Sequence, residues 1–177
     1  AQVVDYGVDG GAPFLVMELI EGDDLSAVLE RHGPMRPSRG GAVMRQLASL
    51  LGQVHGQGIV HRDLKPANIK LLRYSDSARQ IHLKVLDFGV AKVISDHALS
   101  LGPRAATVGQ IRMFTPAYAA PEQFHDALGP ITAQTDVYSF AVLVVELLAD
   151  RTPIEGEHIG EYADRALDPE RRPTPRA

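Results

Sequence analysis

The chain has 177 residues, room for one domain and hardly two at about 100–200 residues each. Hydrophobic residues make up 45% and charged residues 23%, a folded rather than a disordered composition. The formal net charge of −4 argues against a general nucleic-acid binder, and the lack of cysteine excludes a disulfide scaffold, a thiolate zinc site and a cysteine nucleophile.

The opening AQVVDYGVDG has no basic start and no apolar core, so no signal peptide is read there. It also lacks an initiator Met, and the chain reads as a piece of something longer. Val3-Val4 and Tyr6, the turn Asp9-Gly10-Gly11 and the run Phe14–Ile20 predict a hairpin. From Asp24 the period changes. Leu25, Val28 and Leu29 share one helical face, with Asp23 or Asp24 to cap the start and Gly33 to end it. Val43, Leu47, Leu50, Leu51 and Val54 predict a second helix ending near Gly56-Gln57-Gly58.

Short strands are expected at Ile59-Val60, Ile69–Leu72 and Leu83–Leu86, with Arg73–Gln80 a polar loop. Ser95–Thr115 is long and mixed and reads as a mobile surface segment. Asp136–Ala149 is apolar on nearly every side and predicts a central buried helix. Its core Ala141–Leu148 is broken by Glu146 and falls short of the about 20 apolar residues of a membrane span. Past Thr152 only one weak helix is expected, around Glu161–Leu167.

Chemistry concentrates in His61-Arg62-Asp63-Leu64-Lys65-Pro66-Ala67-Asn68. Phosphoryl transfer needs an acid to orient and deprotonate a hydroxyl, a cation to neutralise the moving phosphoryl, and an amide to hold a metal. Asp63, Lys65 and Asn68 supply that set within six residues. Asp87-Phe88-Gly89 follows an apolar strand, and its acid suits a divalent ion that bridges phosphates.

HRDLKPAN, DFGVAK, TPAYAAPEQ and TDVYSF stand in this order with spacing that resembles the catalytic domain of the eukaryotic-type protein kinases. Lys65 after Leu64 is similar to the serine/threonine branch, and TPAYAAPEQ is similar to its bacterial members. The resemblance implies an α+β fold: a mostly helical C-lobe over residues 23–177, preceded by the last two N-lobe strands and the hinge over residues 1–22. It implies ATP and Mg²⁺ as cofactors and Ser/Thr hydroxyls of proteins as substrates. Asp63 would then be the catalytic base, Lys65 the phosphate contact, and Asn68 and Asp87 the Mg²⁺ ligands. Thr115 resembles the threonine that steadies the catalytic loop, and Asp136 the buried acid that anchors the loop backbone. Met17 resembles the gatekeeper, a core position on any reading. The backbone of Glu18 and Ile20 would meet the adenine edge, and Asp24 the ribose hydroxyls.

Further expectations follow from the resemblance. Arg62 beside Asp63 invites an anionic partner, a phosphorylated Ser95, Ser100 or Thr107, with Thr107 preferred. Arg172 in Asp168–Thr174 resembles the closing arginine and should pair with Glu122. His61 should pack on Phe88, and His55 reads as a satisfied helix-end residue.

Three features depart from the family pattern. No Gly-rich loop or strand lysine precedes the hinge, since the lysines are Lys65, Lys70, Lys84 and Lys92. An N-terminal truncation accounts for this better than degeneration. The stretch from Thr152 to Asp168 is short. Lys70 stands where the family has an apolar floor under adenine, so either its stem packs there with the charge turned outward or the alignment slips. The expected activity is ATP-dependent protein serine/threonine phosphorylation by the parent protein, in the cytoplasm or as the cytoplasmic part of a membrane-anchored kinase. This fragment alone would be inactive. The alternative is a pseudokinase or scaffold.

Overall fold

The computed structural model describes residues 3–10, 12–72, 81–88, 114–149 and 154–168. Strands β1 (Val3–Asp9) and β2 (Ala12–Met17) form an antiparallel hairpin, with Tyr6 opposite Leu15 and the turn made at Gly10. The second strand stops at Met17 instead of running to Ile20. The chain then reaches a two-residue strand, β3 (Asp23–Asp24), which pattern alone does not announce because only its partner defines it.

Helix α1 (Leu25–His32) ends at Gly33, whose φ of 70° needs no Cβ. Helix α2 (Pro37–His55) starts with Pro37 in its first turn, where the missing N–H costs nothing. Strands β4 (Ile69–Leu71) and β5 (Leu83–Val85) complete a sheet ordered β3-β4-β5, antiparallel throughout. Helices α3 (Pro121–Phe124), α4 (Ala133–Ala149) and α5 (Ile159–Leu167) finish the described fold.

One core joins Leu25, Val28 and Leu29 of α1, Val43, Leu47 and Leu51 of α2, Ile69, Leu71 and Val85 of the sheet, and Leu143 and Leu147 of α4. In α1 and α2 these are positions the 3.6-residue period selects. A smaller cluster seats Ala163 and Ala166 of α5 on Ala119 and Phe124. Among the described residues no helix is long and apolar enough to cross a membrane.

Several expectations need correction. Ile59-Val60 is not a strand: after Gly58, at φ 73°, the Ile59 amide closes back on the Val54 carbonyl instead of finding a ladder partner. Met17, expected as core, is 36% exposed in this chain and lies outside the core cluster, whose first member is Leu25. Helix α4 begins three residues early and is not buried all round. Val137 and Leu148 are exposed, while Thr135, Asp136 and Ser139 are buried. The Arg73–Gln80 loop, Ser95, Ser100, Thr107 and Arg172 lie outside the described residues, as does most of the Ser95–Thr115 segment.

Gly22 joins the hairpin to the sheet. Its φ is +145°, and a Cβ there would stand 2.5 Å from the Leu71 carbonyl oxygen. We expect Gly22→Ala to destabilise the protein by about 1–3 kcal/mol. The melting midpoint should fall by roughly 2–4 °C per kcal/mol. An unchanged midpoint in thermal denaturation would mean that the backbone at residue 22 can draw away from β4 at no cost.

Candidate active site

The site is organised from below by Asp136, fully buried in the first turn of α4. Its Oδ2 accepts the His61 amide (2.8 Å) and stands 2.7 Å from His55 Nε2, and its Oδ1 accepts the Arg62 amide at 2.9 Å. A carboxylate at a helix N-terminus is also favoured by the helix dipole. These bonds hold Arg62 at φ 74°, a left-handed conformation that costs a non-glycine residue about 1–2 kcal/mol.

His61 is 1% exposed. Its Nε2–H donates to the Leu86 carbonyl (2.8 Å), and its Nδ1 accepts the Asp63 amide (3.3 Å), the pattern of a neutral ring. The ring meets Phe88 edge-on at 4.7 Å, as expected. Burial lowers its pKa below the ordinary 6.5. The Leu86 bond and the charges of Asp136, Asp63 and Asp87 act in the opposite direction.

The next residues converge. Asp63 Oδ1 accepts the Thr115 amide at 2.8 Å, and Asp63 Oδ2 lies 2.8 Å from Lys65 Nζ. Lys65 Nζ also donates to Thr115 Oγ1 at 2.7 Å. Pro66–Asn68 is a 3-10 turn that folds Asn68 back, so that its Nδ2 donates to the Asp63 carbonyl at 2.8 Å. The Leu86 amide donates to the Asn68 carbonyl at 2.8 Å, which sets Asp87, at φ 59°, beside the turn. The structure therefore brings Asp63, Lys65, Asn68 and Thr115 into one bonded cluster, with Asp87 at its edge.

Residues 18–24 join the sheet through charge. Asp24 stands at the N-cap of α1 without bonding its amides. Its Oδ1 lies 2.9 Å from Lys70 Nζ, which also donates to the Gly22 carbonyl at 3.3 Å. Lys70 pairs with Asp24 on β3 and Lys84 on β5, and its ammonium turns to the acid. Lys84 in turn binds both carboxylate oxygens of Glu18 (2.9 and 3.0 Å). Ile20 is half-buried between these two pairs in sequence.

The segment after Thr115 is tied to α4. Ser139 Oγ donates to the Tyr118 carbonyl (2.8 Å), Tyr118 Oη to Glu146 Oε2 (2.7 Å), and Thr135 Oγ1 to Glu122 Oε1 (2.6 Å). Burial raises the Glu146 pKa against the downward pull of the Tyr118 bond. Sequence reasoning gave no role to His55, Lys84 or Glu146. His55 lies 81 positions from Asp136 and no local pattern links them, whereas the cross-strand register of Lys84 with Lys70 would have flagged a need for acids.

The protein kinase domain family profile matches residues 2–173. The chain belongs to the protein kinase family. It is 40% identical over 158 residues to the serine/threonine-protein kinase pkn2 of Myxococcus xanthus, covering 88% of this chain and 18% of that protein. Serine/threonine-protein kinase PknL of Mycobacterium tuberculosis is 40% identical over 166 residues, covering 94% and 38%. PkaA of Streptomyces coelicolor is 36% identical, covering 98% and 30%. The crystal structure of Rad53 1–466 in complex with AMP-PNP superposes with a TM-score of 0.65 and 26% identity, over 93% of this chain and 38% of that one. The chain thus spans well under half the length of these relatives, and its fold is the kinase-like α+β fold.

The buried neutral His61 sets an acid limit on stability. Its folded pKa lies below its unfolded value, so its contribution is whole above pH 6.5 and is lost as pH falls through the folded pKa. Urea denaturation of the protein should show a midpoint that declines across this window. His61→Phe, which cannot charge, should lose that part of the decline. Equal acid slopes for both proteins would contradict a His61 that resists protonation.

Proposed function

We propose that the protein carrying this chain transfers the γ-phosphoryl of ATP to serine and threonine hydroxyls of other proteins. The observation that supports this best is the convergence of Asp63, Lys65, Asn68 and Thr115 on one spot, through hydrogen bonds of 2.7–3.3 Å and the 2.8 Å Lys65–Asp63 ion pair. Asp63 is the base: Thr115 N–H and Lys65 fix its carboxylate, and a substrate hydroxyl approaching it would be oriented and relieved of its proton. Lys65, reached from both Asp63 and Thr115, neutralises charge on the phosphoryl in transit.

Asn68 and Asp87 would hold Mg²⁺. Their oxygens are hard donors, and Asn68 commits its Nδ2 to Asp63, which leaves its amide oxygen for a cation. When bound, the ion would neutralise phosphate charge and fix the triphosphate in line with the acceptor. Residues 1–22 serve as the end of the smaller lobe and hinge, and residues 23–177 as the larger lobe. In the hinge, Met17 flanks the nucleotide, the backbone of Glu18 and Ile20 reads the adenine edge, and Asp24, oriented by Lys70, takes the ribose hydroxyls. The AMP-PNP seen with Rad53 belongs to that protein; by its kinship this chain's nucleotide is ATP, and its working place the cytoplasm, where ATP is.

In the natural full-length protein, Asp63→Asn should lower phosphoryl transfer about 10²–10⁴-fold with ATP affinity retained. Asp87→Asn should weaken Mg²⁺-dependent ATP binding itself. Labelled-ATP transfer assays and nucleotide titrations read both effects. Undiminished transfer by the first variant, or unchanged nucleotide affinity in the second, would refute the assigned roles. A wild-type protein that binds nucleotide yet transfers nothing would return the scaffold reading.

A further inference from the structure

Gln123 is a buried side chain that the assigned chemistry does not use. It follows Glu122 in the short helix α3 and is 4% exposed. Its two ends do separate things. Oε1 accepts the Ala120 amide at 3.0 Å, which closes the start of its own helix. Nε2 reaches 61 residues back along the sequence and donates to the Arg62 carbonyl at 2.7 Å.

That carbonyl is a consequential place to hold. Arg62 is one of two described non-glycine residues with positive φ, the other being Asp87. Such conformations persist only where the surroundings over-determine them. Asp136 takes the amide of residue 62 and Gln123 takes its carbonyl, so the residue is fixed from both sides. The Arg62 carbonyl also lies in the same peptide plane as the Asp63 amide. Fixing one therefore fixes the direction in which Asp63 leaves the backbone. The far end of the tether is itself anchored, since Thr135 bonds Glu122 and Ser139 bonds the Tyr118 carbonyl.

The geometry points to Gln123 as a positioning residue for Asp63, a tether that makes the aim of the base depend on the docking of the segment after Thr115. A helix cap alone would need only Oε1, and the amide nitrogen adds the second bond. This assignment rests on the kinase reading for its catalytic consequence, though not for the tether itself.

Gln123→Glu separates the two functions in the natural full-length protein. It keeps the size of the side chain and the oxygen that accepts the Ala120 amide. It also sets a carboxylate oxygen against the Arg62 carbonyl, where a donor stood. We expect kcat to fall about 10- to 100-fold well below the melting temperature, with KM for ATP within about 2-fold of wild type. Amide hydrogen exchange across residues 61–64 should accelerate while α2 stays protected. Gln123→Leu, which lacks both bonds, should show the same kcat loss together with a lower melting temperature. A Gln123→Glu protein with wild-type kcat would overturn the positioning role, and so would unchanged exchange at residues 61–64. Absence of transfer by the wild-type protein would count against the kinase reading instead, and the exchange measurement would still decide the tether.

Discussion

A single carboxylate with no access to water governs the arrangement of this molecule. Asp136 would be costly to bury alone, since removing a carboxylate from water without partners carries a penalty of several kcal/mol. Two backbone amides and a histidine nitrogen surround it instead, all within 2.9 Å. Charge-assisted hydrogen bonds of this kind are about twice as strong as neutral ones. The bonds run from α4 to the stretch that carries Asp63, so the apolar packing of α4 through Leu143 and Leu147 becomes a fixed position for the loop above it. Core and site are thus mechanically continuous. The left-handed backbone at Arg62 is the local cost of that connection.

Above this anchor the polar groups are arranged by direction rather than by strength. Asp63 is gripped at one oxygen by a backbone amide and at the other by Lys65, so its orientation is set within the fold. On the proposed function, preorganisation of this sort is where phosphoryl transfer gains most, because that reaction asks little covalent chemistry of a protein. The hinge pairs differ in kind. Glu18–Lys84 and Asp24–Lys70 are partly exposed, and pairs of that sort contribute only about 0–1 kcal/mol each. Their value lies in geometry: they dock residues 18–24 on β4 and β5, and they relieve the repulsion of two lysines placed opposite each other.

Much of this was legible from the sequence. The helical faces at Leu25, Val28 and Leu29 and at Val43, Leu47 and Leu51 are core, because a 3.6-residue period records burial directly. Four ordered motifs were enough to name the residues that the fold gathers around Asp63. What was not legible depends on partners distant in sequence. Met17 looks like core in an apolar strand, yet nothing local says that the core forms elsewhere. Strand β3 exists only by pairing with β4. His55 and Gln123 look like ordinary helix residues until the chain returns 81 and 61 positions away, and Lys70 looks misplaced until Asp24 is seen opposite.

The dependence of the loop on the buried acid can be read from protection of the His61 and Arg62 amides against solvent exchange, resolved residue by residue by NMR, in wild-type and Asp136→Asn proteins. The account predicts strong protection of both in the wild type. In the variant, whose amide group offers one acceptor and opposes the other donor with an N–H, at least one should exchange faster by orders of magnitude while Leu47 and Leu51 in α2 keep their protection. Equal protection of both amides in the two proteins would contradict it, and the site would then have to be held by something other than Asp136.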